Sequence, residues 1–276
     1  QAFDRIFDCR GHGWANLQST HLNLPFANDD EFGRLHAAVR AILPILPALA
    51  ASSPFVEGSH PGILDTRLDF YRSNARRVPS VTGQVIPEAV FTRAGYQTLL
   101  ESIYADLAPL DSAGTLRHEW ANARGCIARF DRMALEIRVL DMQECPQADL
   151  AIAAAVSFVL RSLCDPAPSH QARLRGLPTK ALAQLLRATS AAAEAAKIDD
   201  RGYLRALGLP ARRVDRWLDA TVEGERAIEF GVVVDLDDGV HGEVTGSGGE
   251  VTGDVVVDLG ENDQDAVRAP GPGLED

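Results

Sequence analysis

Lysine is nearly missing from this sequence, and the body of the chain has no excess of charge of either sign. Lys180 and Lys197 are the only lysines among the 27 Lys and Arg residues. The formal charge of −12 arises in residues 227–276, which hold thirteen Asp or Glu residues and one arginine. Residues 1–226 are therefore balanced, which excludes a broad basic surface for nucleic acid or anionic lipid.

Paired cysteines and long apolar runs are also lacking. The four cysteines are scattered and form no CxxC pair, which excludes a small disulfide-stapled scaffold and predicts unpaired thiols in a reducing cytoplasm. The longest apolar run, residues 148–160, is shorter than the roughly 20 residues that a membrane-spanning helix needs. It predicts a buried helix and no membrane partner.

The common signatures of nucleotide and serine-hydrolase sites do not occur. The sequence has no GxSxG turn, no Walker A loop and no GxGxxG motif between a predicted strand and a helix. If ATP is used, it must therefore be held by a sheet rather than by a phosphate-binding loop.

Two segments, residues 16–26 and 134–141, alternate polar and apolar side chains as half-buried strands do. The apolar side chains of each strand would face a core, and the polar ones would share the opposite face. The polar pairs are His21 with Asn23 and Glu136 with Arg138.

These four side chains have the chemistry of a site for a phosphorylated substrate and its metal. Histidine coordinates cations or donates hydrogen bonds, asparagine orients oxygen ligands, glutamate suits Mg²⁺, and arginine binds phosphate or carboxylate. The alternative is that each pair simply faces water on a half-exposed sheet.

Arginines are concentrated in two further stretches. Guanidinium groups bind phosphate and carboxylate bidentately, which favours a functional cluster, whereas a GC-rich coding bias would also favour arginine over lysine. The two groups are Arg67, Arg72, Arg76 and Arg77, and Arg124, Arg129, Arg132 and Arg138.

Helical patterns surround the two strands. Apolar residues at helical spacing predict helices over residues 28–42 and 93–110, and the alanine- and leucine-rich residues 147–222 predict further helices. Helices around a few antiparallel strands predict an α+β fold. Residues 227–276 are rich in glycine, valine and acidic residues, a composition that predicts a flexible tail. A shifted reading frame in GC-rich DNA would give the same composition.

An ordered series of motifs over roughly residues 1–165 resembles the type 2 glutamate–cysteine ligases and the related carboxylate–amine ligases. The motifs are "STHLNLPF", "LPALAASSPFVEG", "YRSNARRVPSVTG", "HEWANARG" and "ALEIRVLD". The resemblance implies a glutamine-synthetase-like catalytic domain over residues 1–226, in which one polar, open face of an antiparallel sheet holds ATP, Mg²⁺ and an amino-acid carboxylate. Family members carry an earlier strand with a Glu-x-Glu motif, so we expect this chain to lack the N-terminal part of that fold.

The activity that the resemblance implies is ATP-dependent joining of a glutamate-like carboxylate to a cysteine-like amine through an acyl phosphate. The alternative is a fragment that binds a nucleotide or a carboxylate without turnover. The implied partners are small molecules, with no nucleic acid and no membrane, and a homo-oligomer is possible.

We expect the following roles for the site residues, and the resemblance implies all of them except those of Arg129 and Asn122. Glu136 and His21 would bind the metal; Arg138 and Arg124 would be catalytic; Arg138, Asn23 and Arg129 would bind the nucleotide; Arg72, Arg76, Arg77 and Asn122 would bind the substrate.

Overall fold

The computed structural model describes the backbone of residues 2–12, 17–209, 231–235, 241–245 and 255–258, and the side chains of the first two ranges. The helices bounded within these ranges are α1 (Ala2–Phe7), α2 (Asp29–Ile42), α3 (Pro47–Ala50), α4 (Thr66–Asn74), α5 (Arg93–Leu107), α6 (Pro146–Leu163), α7 (Pro168–Arg175), α8 (Thr179–Ala192) and α9 (Arg201–Ala206). The strands are β1 (Ser19–Pro25), β2 (Cys126–Arg129), β3 (Ala134–Asp141), β4 (Gly231–Asp235), β5 (His241–Thr245) and β6 (Val255–Asp258).

The two strands predicted from alternation are present and lie side by side. Strand β1 pairs antiparallel with β3, and β2 pairs antiparallel with the other edge of β3. Together with the surrounding helices, these three strands confirm the α+β class. Strand β2 was not predicted, because its four residues are too few to show alternation.

Three strands from the C-terminal region extend the sheet, whose backbone order is β2-β3-β1-β6-β5-β4. Strand β6 pairs antiparallel with β1. Most of residues 227–276 lie outside the described residues, so the flexible tail remains a prediction. The predicted helical content of residues 210–222 also lies outside them.

The apolar face of β1 and β3 forms the centre of the core. Leu22 and Leu24 of β1 lie opposite Ile137 and Leu135 of β3, and all four are buried. Helices α2 and α6 contact this sheet. The core therefore lies on the side of the sheet that the alternation predicts.

Helix α2 begins where its sequence provides a cap. The Asn28 side chain accepts hydrogen bonds from the backbone N–H groups of Asp30 at 3.1 Å and Glu31 at 3.0 Å, which satisfies two of the free donors of the first turn. The helix ends at Ile42, before the proline at position 44. Both ends of the helix thus follow from residues that the sequence provides.

The apolar run of residues 148–160 forms part of α6, as predicted. Ala153, Val156 and Leu160 of this helix are buried against the core. No helix within the described ranges is both long enough and apolar enough to cross a bilayer.

Phe32 of α2 joins several elements through ring contacts. Its ring centroid lies 5.4 Å from that of Phe26, 5.1 Å from that of Phe130 and 5.9 Å from that of Tyr96. These partners come from the end of β1, the turn between β2 and β3, and α5. Phe32 is fully buried, so its ring holds four segments together.

We expect Phe32→Ala to lower the free energy of unfolding by about 3–5 kcal/mol, because it removes a buried ring and leaves a cavity. Urea unfolding followed by circular dichroism would measure the change. Phe55→Ala is the matched control, because Phe55 is 68% exposed and should cost well under half as much. Equal losses in the two variants would contradict this account of the core.

Candidate functional site around Glu136

The carboxylate of Glu136 lies at the centre of a polar cluster on β1, β2 and β3. Its Oε1 accepts a hydrogen bond from Arg138 Nε at 2.6 Å, and its Oε2 accepts one from Arg129 Nη1 at 3.1 Å. His21 Nδ1 lies 3.4 Å from Oε1. We call Glu136, Arg138, Arg129, His21 and Asn23 the Glu136 cluster.

The strand register assembles this cluster. Asn23 lies directly opposite Glu136, and directly opposite residues of antiparallel strands point to the same face. A bulge between Thr20 and Leu22 places His21 beside the same carboxylate. The structure thus brings together four of the residues predicted from the two strands, and it adds Arg129 from β2.

The face that carries the cluster is more enclosed than the predicted open face. The side chains of Glu136, Arg138 and Arg129 are 6%, 11% and 12% exposed. A buried carboxylate is stable only when it is paired and hydrogen-bonded. Two guanidinium groups meet this need at Glu136, and Arg129 also contacts the exposed Asp131 at 3.5 Å.

The pKa of Glu136 reflects two opposing effects. Burial alone would raise it, but the positive charges of Arg138, His21 and Arg129, together with the hydrogen bond from Arg138, lower it below its ordinary value. Glu136 is therefore ionised at neutral pH. The cluster presents two fixed guanidinium groups around one carboxylate.

Two buried polar atoms of the cluster have no hydrogen-bond partner in the described part of the chain. They are Asn23 Oδ1, an acceptor, and Arg129 Nε, a donor. Buried polar atoms in proteins are normally hydrogen-bonded, often to water or a ligand. Both atoms belong to side chains that are predicted to bind the nucleotide, and a ligand on this face could satisfy them.

Arg124 and Asn122 lie in a second network, which fastens the loop before α5. Arg124 pairs with Glu88 at 2.6 Å and also donates to the carbonyls of Ser80 and Val81. Asn122 donates to the Tyr96 hydroxyl at 2.9 Å, and its Oδ1 accepts from the Arg124 N–H at 3.2 Å. These contacts are all with protein atoms, and the predicted catalytic and substrate roles of the two residues remain predictions.

The three arginines predicted for substrate binding lie at the surface near the end of α4. Arg72 pairs with Asp69 at 3.1 Å, and Arg77 donates to the carbonyl of Ile6 at 2.9 Å. Arg76 is exposed. None of the three has a described contact with the Glu136 cluster, so their substrate role stays a prediction.

Helix α4 contacts the C-terminal end of β3, and the sequence patterns did not predict this contact. Arg67 pairs with the buried carboxylate of Asp141 and donates to the carbonyl of Val139 at 2.8 Å. Four residues later, the hydroxyl of Tyr71 donates to the carbonyl of Arg124 at 3.4 Å. Arg67 and Tyr71 are four residues apart, and residues at this spacing share one face of a helix. This spacing is the only signal in the sequence that could have indicated that the two side chains lie on the same side of α4.

A pocket of about 630 Å³ opens beside this contact. The loop after α3, helix α4 and the segment after β3 line it, and the ion pair of Arg67 with Asp141 forms part of its wall. Phe55 and Phe70 supply apolar surface. No residue of the Glu136 cluster lines the pocket, and Arg67 links the two regions through its contacts with the carbonyls of Arg138 and Val139.

Asp65, the cap of α4, is a buried carboxyl group that titrates near neutral pH. Burial raises its pKa to about 7 from 3.8; Arg67 opposes this shift and Asp141 adds to it. Its Oδ1 accepts from the Leu68 N–H at 2.8 Å, while its Oδ2 has no donor partner among the described residues. A proton on Oδ2 would be donated to the neighbouring Asp141 carboxylate.

Because the pKa of Asp65 is higher in the folded state than its ordinary value, protonated Asp65 favours folding at low pH. This contribution to the free energy of unfolding is lost as pH rises from about 4 through about 7. We expect Asp65→Asn, which keeps the cap acceptor, to remove this loss. Urea unfolding between pH 4 and 8.5 should show the variant gaining stability relative to wild type as pH rises. Asp69→Asn, at a partly exposed position of the same helix, should show no such trend, and a flat difference for Asp65→Asn would contradict the assignment.

The described residues do not by themselves fit a Mg²⁺ ion. No group of three His, Cys, Asp or Glu side chains that could hold a metal occurs within the described part of the chain. The two predicted ligands, His21 and Glu136, are fewer than a metal site needs, and both oxygens of Glu136 accept guanidinium donors. Metal binding by these residues remains a prediction.

Comparison with known proteins agrees with the resemblance seen in the motifs. An uncharacterized protein of Archaeoglobus fulgidus is 42% identical over 168 residues, which are 61% of this chain and 46% of that protein. The chain thus spans about half the length of the curated relative that it matches. A family model described as Glutamate-cysteine ligase family 2 matches residues 5–201, a range that includes the whole Glu136 cluster. The chain therefore belongs to glutamate-cysteine ligase family 2.

Proposed function

We propose that the chain supplies the phosphate-binding wall of an ATP-dependent carboxylate–amine ligase. Membership of the family supports a ligase acting on small molecules. The observation that carries the finer proposal is the Glu136 cluster, in which two guanidinium groups are held in fixed positions by one buried carboxylate. We also propose that the antiparallel sheet corresponds to the sheet of a glutamine-synthetase-like fold.

The proposed reaction has two steps. A carboxylate oxygen of a glutamate-like substrate attacks the γ-phosphorus of ATP, the bond from that phosphorus to the β-phosphate oxygen breaks, and ADP leaves. A cysteine-like amine then attacks the carbonyl carbon of the acyl phosphate, the carbon–oxygen bond to phosphate breaks, and the amine loses a proton. The products are an amide and inorganic phosphate.

The first step gathers negative charge on the transferring phosphoryl group, and fixed donors stabilise such charge most effectively. Arg138 and Arg129 would supply these donors. Glu136 would hold the two guanidinium groups so that they need not reorganise during the reaction. Asn23, whose Oδ1 is buried without a described partner, would orient the nucleotide.

The pocket beside α4 would accept the organic substrate. Its mixed lining, with aromatic rings and the ion pair of Arg67 with Asp141, suits a small amino acid. Arg124 and Asn122 fasten the loop before α5 through their described contacts, and the catalytic role of Arg124 and the substrate role of Asn122 remain predictions. A cytoplasmic location, a homo-oligomer and the roles of Arg72, Arg76 and Arg77 remain predictions.

Mg²⁺ is the usual companion of ATP in phosphoryl transfer. Because the described residues do not fit this ion alone, we derive no step through it. Reactions should nevertheless contain Mg²⁺, since ATP is bound by most enzymes as its magnesium complex.

A second candidate is a module that binds a nucleotide or a carboxylate without turnover. The small number of candidate metal ligands in the described ranges favours it. Calorimetry would separate the two candidates: this one predicts heat of ADP binding with no ADP formed from ATP.

We expect Arg138→Ala to lower kcat/KM for ADP formation by about 10²–10³-fold, because it removes one preorganised donor to the transition state. Glu136→Gln should also lower it, because the amide no longer compensates the two guanidinium charges. A coupled assay of ADP release with ATP, Mg²⁺, glutamate and a panel of amines would measure the change.

Arg132→Ala is the matched control, because this arginine lies in the turn between β2 and β3 with its side chain 62% exposed. It should retain wild-type rates. No ADP release by the wild-type chain with any amino acid, or equal rates in the Arg138 and Arg132 variants, would contradict the proposed ligase.

A further inference from the structure

The lining of the pocket beside α4 carries net negative charge. Its acidic side chains are Glu57, Asp141 and Glu144, and its basic side chains are Arg67 and His12. The three carboxylates outweigh one guanidinium group and one imidazole, whether or not the imidazole is protonated. A cleft in which one sign of charge dominates attracts ligands of the opposite sign. This pocket therefore favours a cation over an anion.

Arg67 supplies the fixed positive charge of the pocket, and its nitrogens already donate to the protein. Its Nε pairs with Asp141, its Nη2 donates to the carbonyl of Val139 at 2.8 Å, and its Nη1 donates to that of Arg138 at 3.4 Å. The side chain is only 5% exposed. An arginine binds a carboxylate best through two parallel N–H donors. Arg67 offers no such pair to the carboxylate of a ligand.

The hydroxyl and amide groups of the lining also donate inward. The Ser53 hydroxyl donates to the same buried carboxylate as Arg67, at 2.7 Å. The hydroxyls of Ser52 and Thr66 and the amide of Gln143 donate to backbone carbonyls. Gln18, which is exposed, is the exception among the described side chains. The side-chain donors of this lining thus serve the protein rather than a ligand.

Two carboxylates of the lining are open to a ligand. Glu144 is exposed, and it has no hydrogen bond or ion pair within the described part of the chain. Glu57 is 77% exposed, and its Oε1 lies 2.9 Å from His12 Nε2. An ammonium group has three donors and no acceptor, so it complements this lining. A carboxylate would meet acceptors where it needs donors.

Aromatic rings supply the apolar part of the same pocket. The ring centroid of Phe70 lies 5.6 Å from that of His12, and Phe55 is 68% exposed. The faces of aromatic rings attract cations, and small-molecule sites combine apolar walls with a few polar groups. The volume of about 630 Å³ is typical of such sites. The ligand that fits is an ammonium group on an apolar body.

We propose that this pocket binds an organic amine without a carboxylate, as its ammonium ion. The charge would lie toward Glu57 and Glu144, and the apolar part toward Phe55 and Phe70. The proposal rests on the proposed function, in which this molecule is the amine that attacks the acyl phosphate. It narrows the occupant of the pocket from a small amino acid to an amine, and the carboxylate substrate would bind outside the pocket. The bound ammonium ion must release one proton to water before its nitrogen can attack.

Three probes with the same apolar body separate the possible ligands. 2-Phenylethylamine carries the ammonium group alone, phenylalanine adds a carboxylate, and 3-phenylpropionate carries the carboxylate alone. Calorimetry with the full chain, without ATP, should show 2-phenylethylamine binding about tenfold more tightly than phenylalanine, because the open carboxylates repel the added negative charge. 3-Phenylpropionate should give no heat of binding.

Two variants place the ammonium group in the pocket. Glu57→Gln and Glu144→Gln each remove one charge and keep the size of the side chain. Each should weaken binding of 2-phenylethylamine by about threefold, because ion pairs at exposed carboxylates are partly screened by solvent. The double variant should weaken it by about tenfold. Asp106→Asn is the matched control, since it removes a negative charge from an exposed position of α5 outside the pocket, and it should bind as wild type does.

The outcomes separate this proposal from the proposed function. No binding of 2-phenylethylamine, equal binding of phenylalanine, or unchanged binding in the double variant would overturn the assignment of the pocket, even if the coupled assay shows ADP release. If 2-phenylethylamine binds as expected and no amine supports ADP release by wild type, the proposed ligase fails while the pocket remains a site for amines.

Discussion

The pairing of the buried Glu136 carboxylate with two guanidinium groups depends on one strand register. A slip of one residue between β1 and β3 would turn every side chain to the opposite face, which would put Leu22 and Leu24 where His21 and Asn23 now lie. It would also bury charge without partners, at a cost of several kcal/mol. The apolar pairs on the core side and the charged cluster on the other side therefore specify the same register, and each makes the other stable.

Alternation in the sequence was sufficient to predict β1, β3 and the face of each that meets the core. It could not predict β2, which has four residues, or the arrival of Arg129 beside Glu136. It also could not predict the contact of α4 with β3, because Arg67 and Asp141 are separated by 74 positions in the sequence. Local patterns define which face of an element is polar, whereas only packing between distant elements decides which polar faces meet.

The arginines illustrate the same limit, because their composition and spacing make them look alike. The structure separates them by their partners: Arg138 and Arg129 meet Glu136, Arg124 meets Glu88 in an interior network, and Arg72 meets Asp69 at the surface. Guanidinium groups paired with an exposed carboxylate are screened by solvent and contribute little. Those paired with a buried carboxylate keep a fixed orientation, which is what recognition of a phosphate requires.

The charge balance of the cluster indicates which kind of ligand it favours. Both oxygens of Glu136 already accept guanidinium donors, so a divalent cation placed there would compete with two positive charges that cannot be deprotonated. An anion meets the opposite situation, because each guanidinium group has five N–H donors and only some of them are used by Glu136. The low dielectric of a largely enclosed face strengthens that attraction. This arrangement supports the proposed binding of an anion, and any metal that accompanies a nucleotide would need carboxylates beyond Glu136.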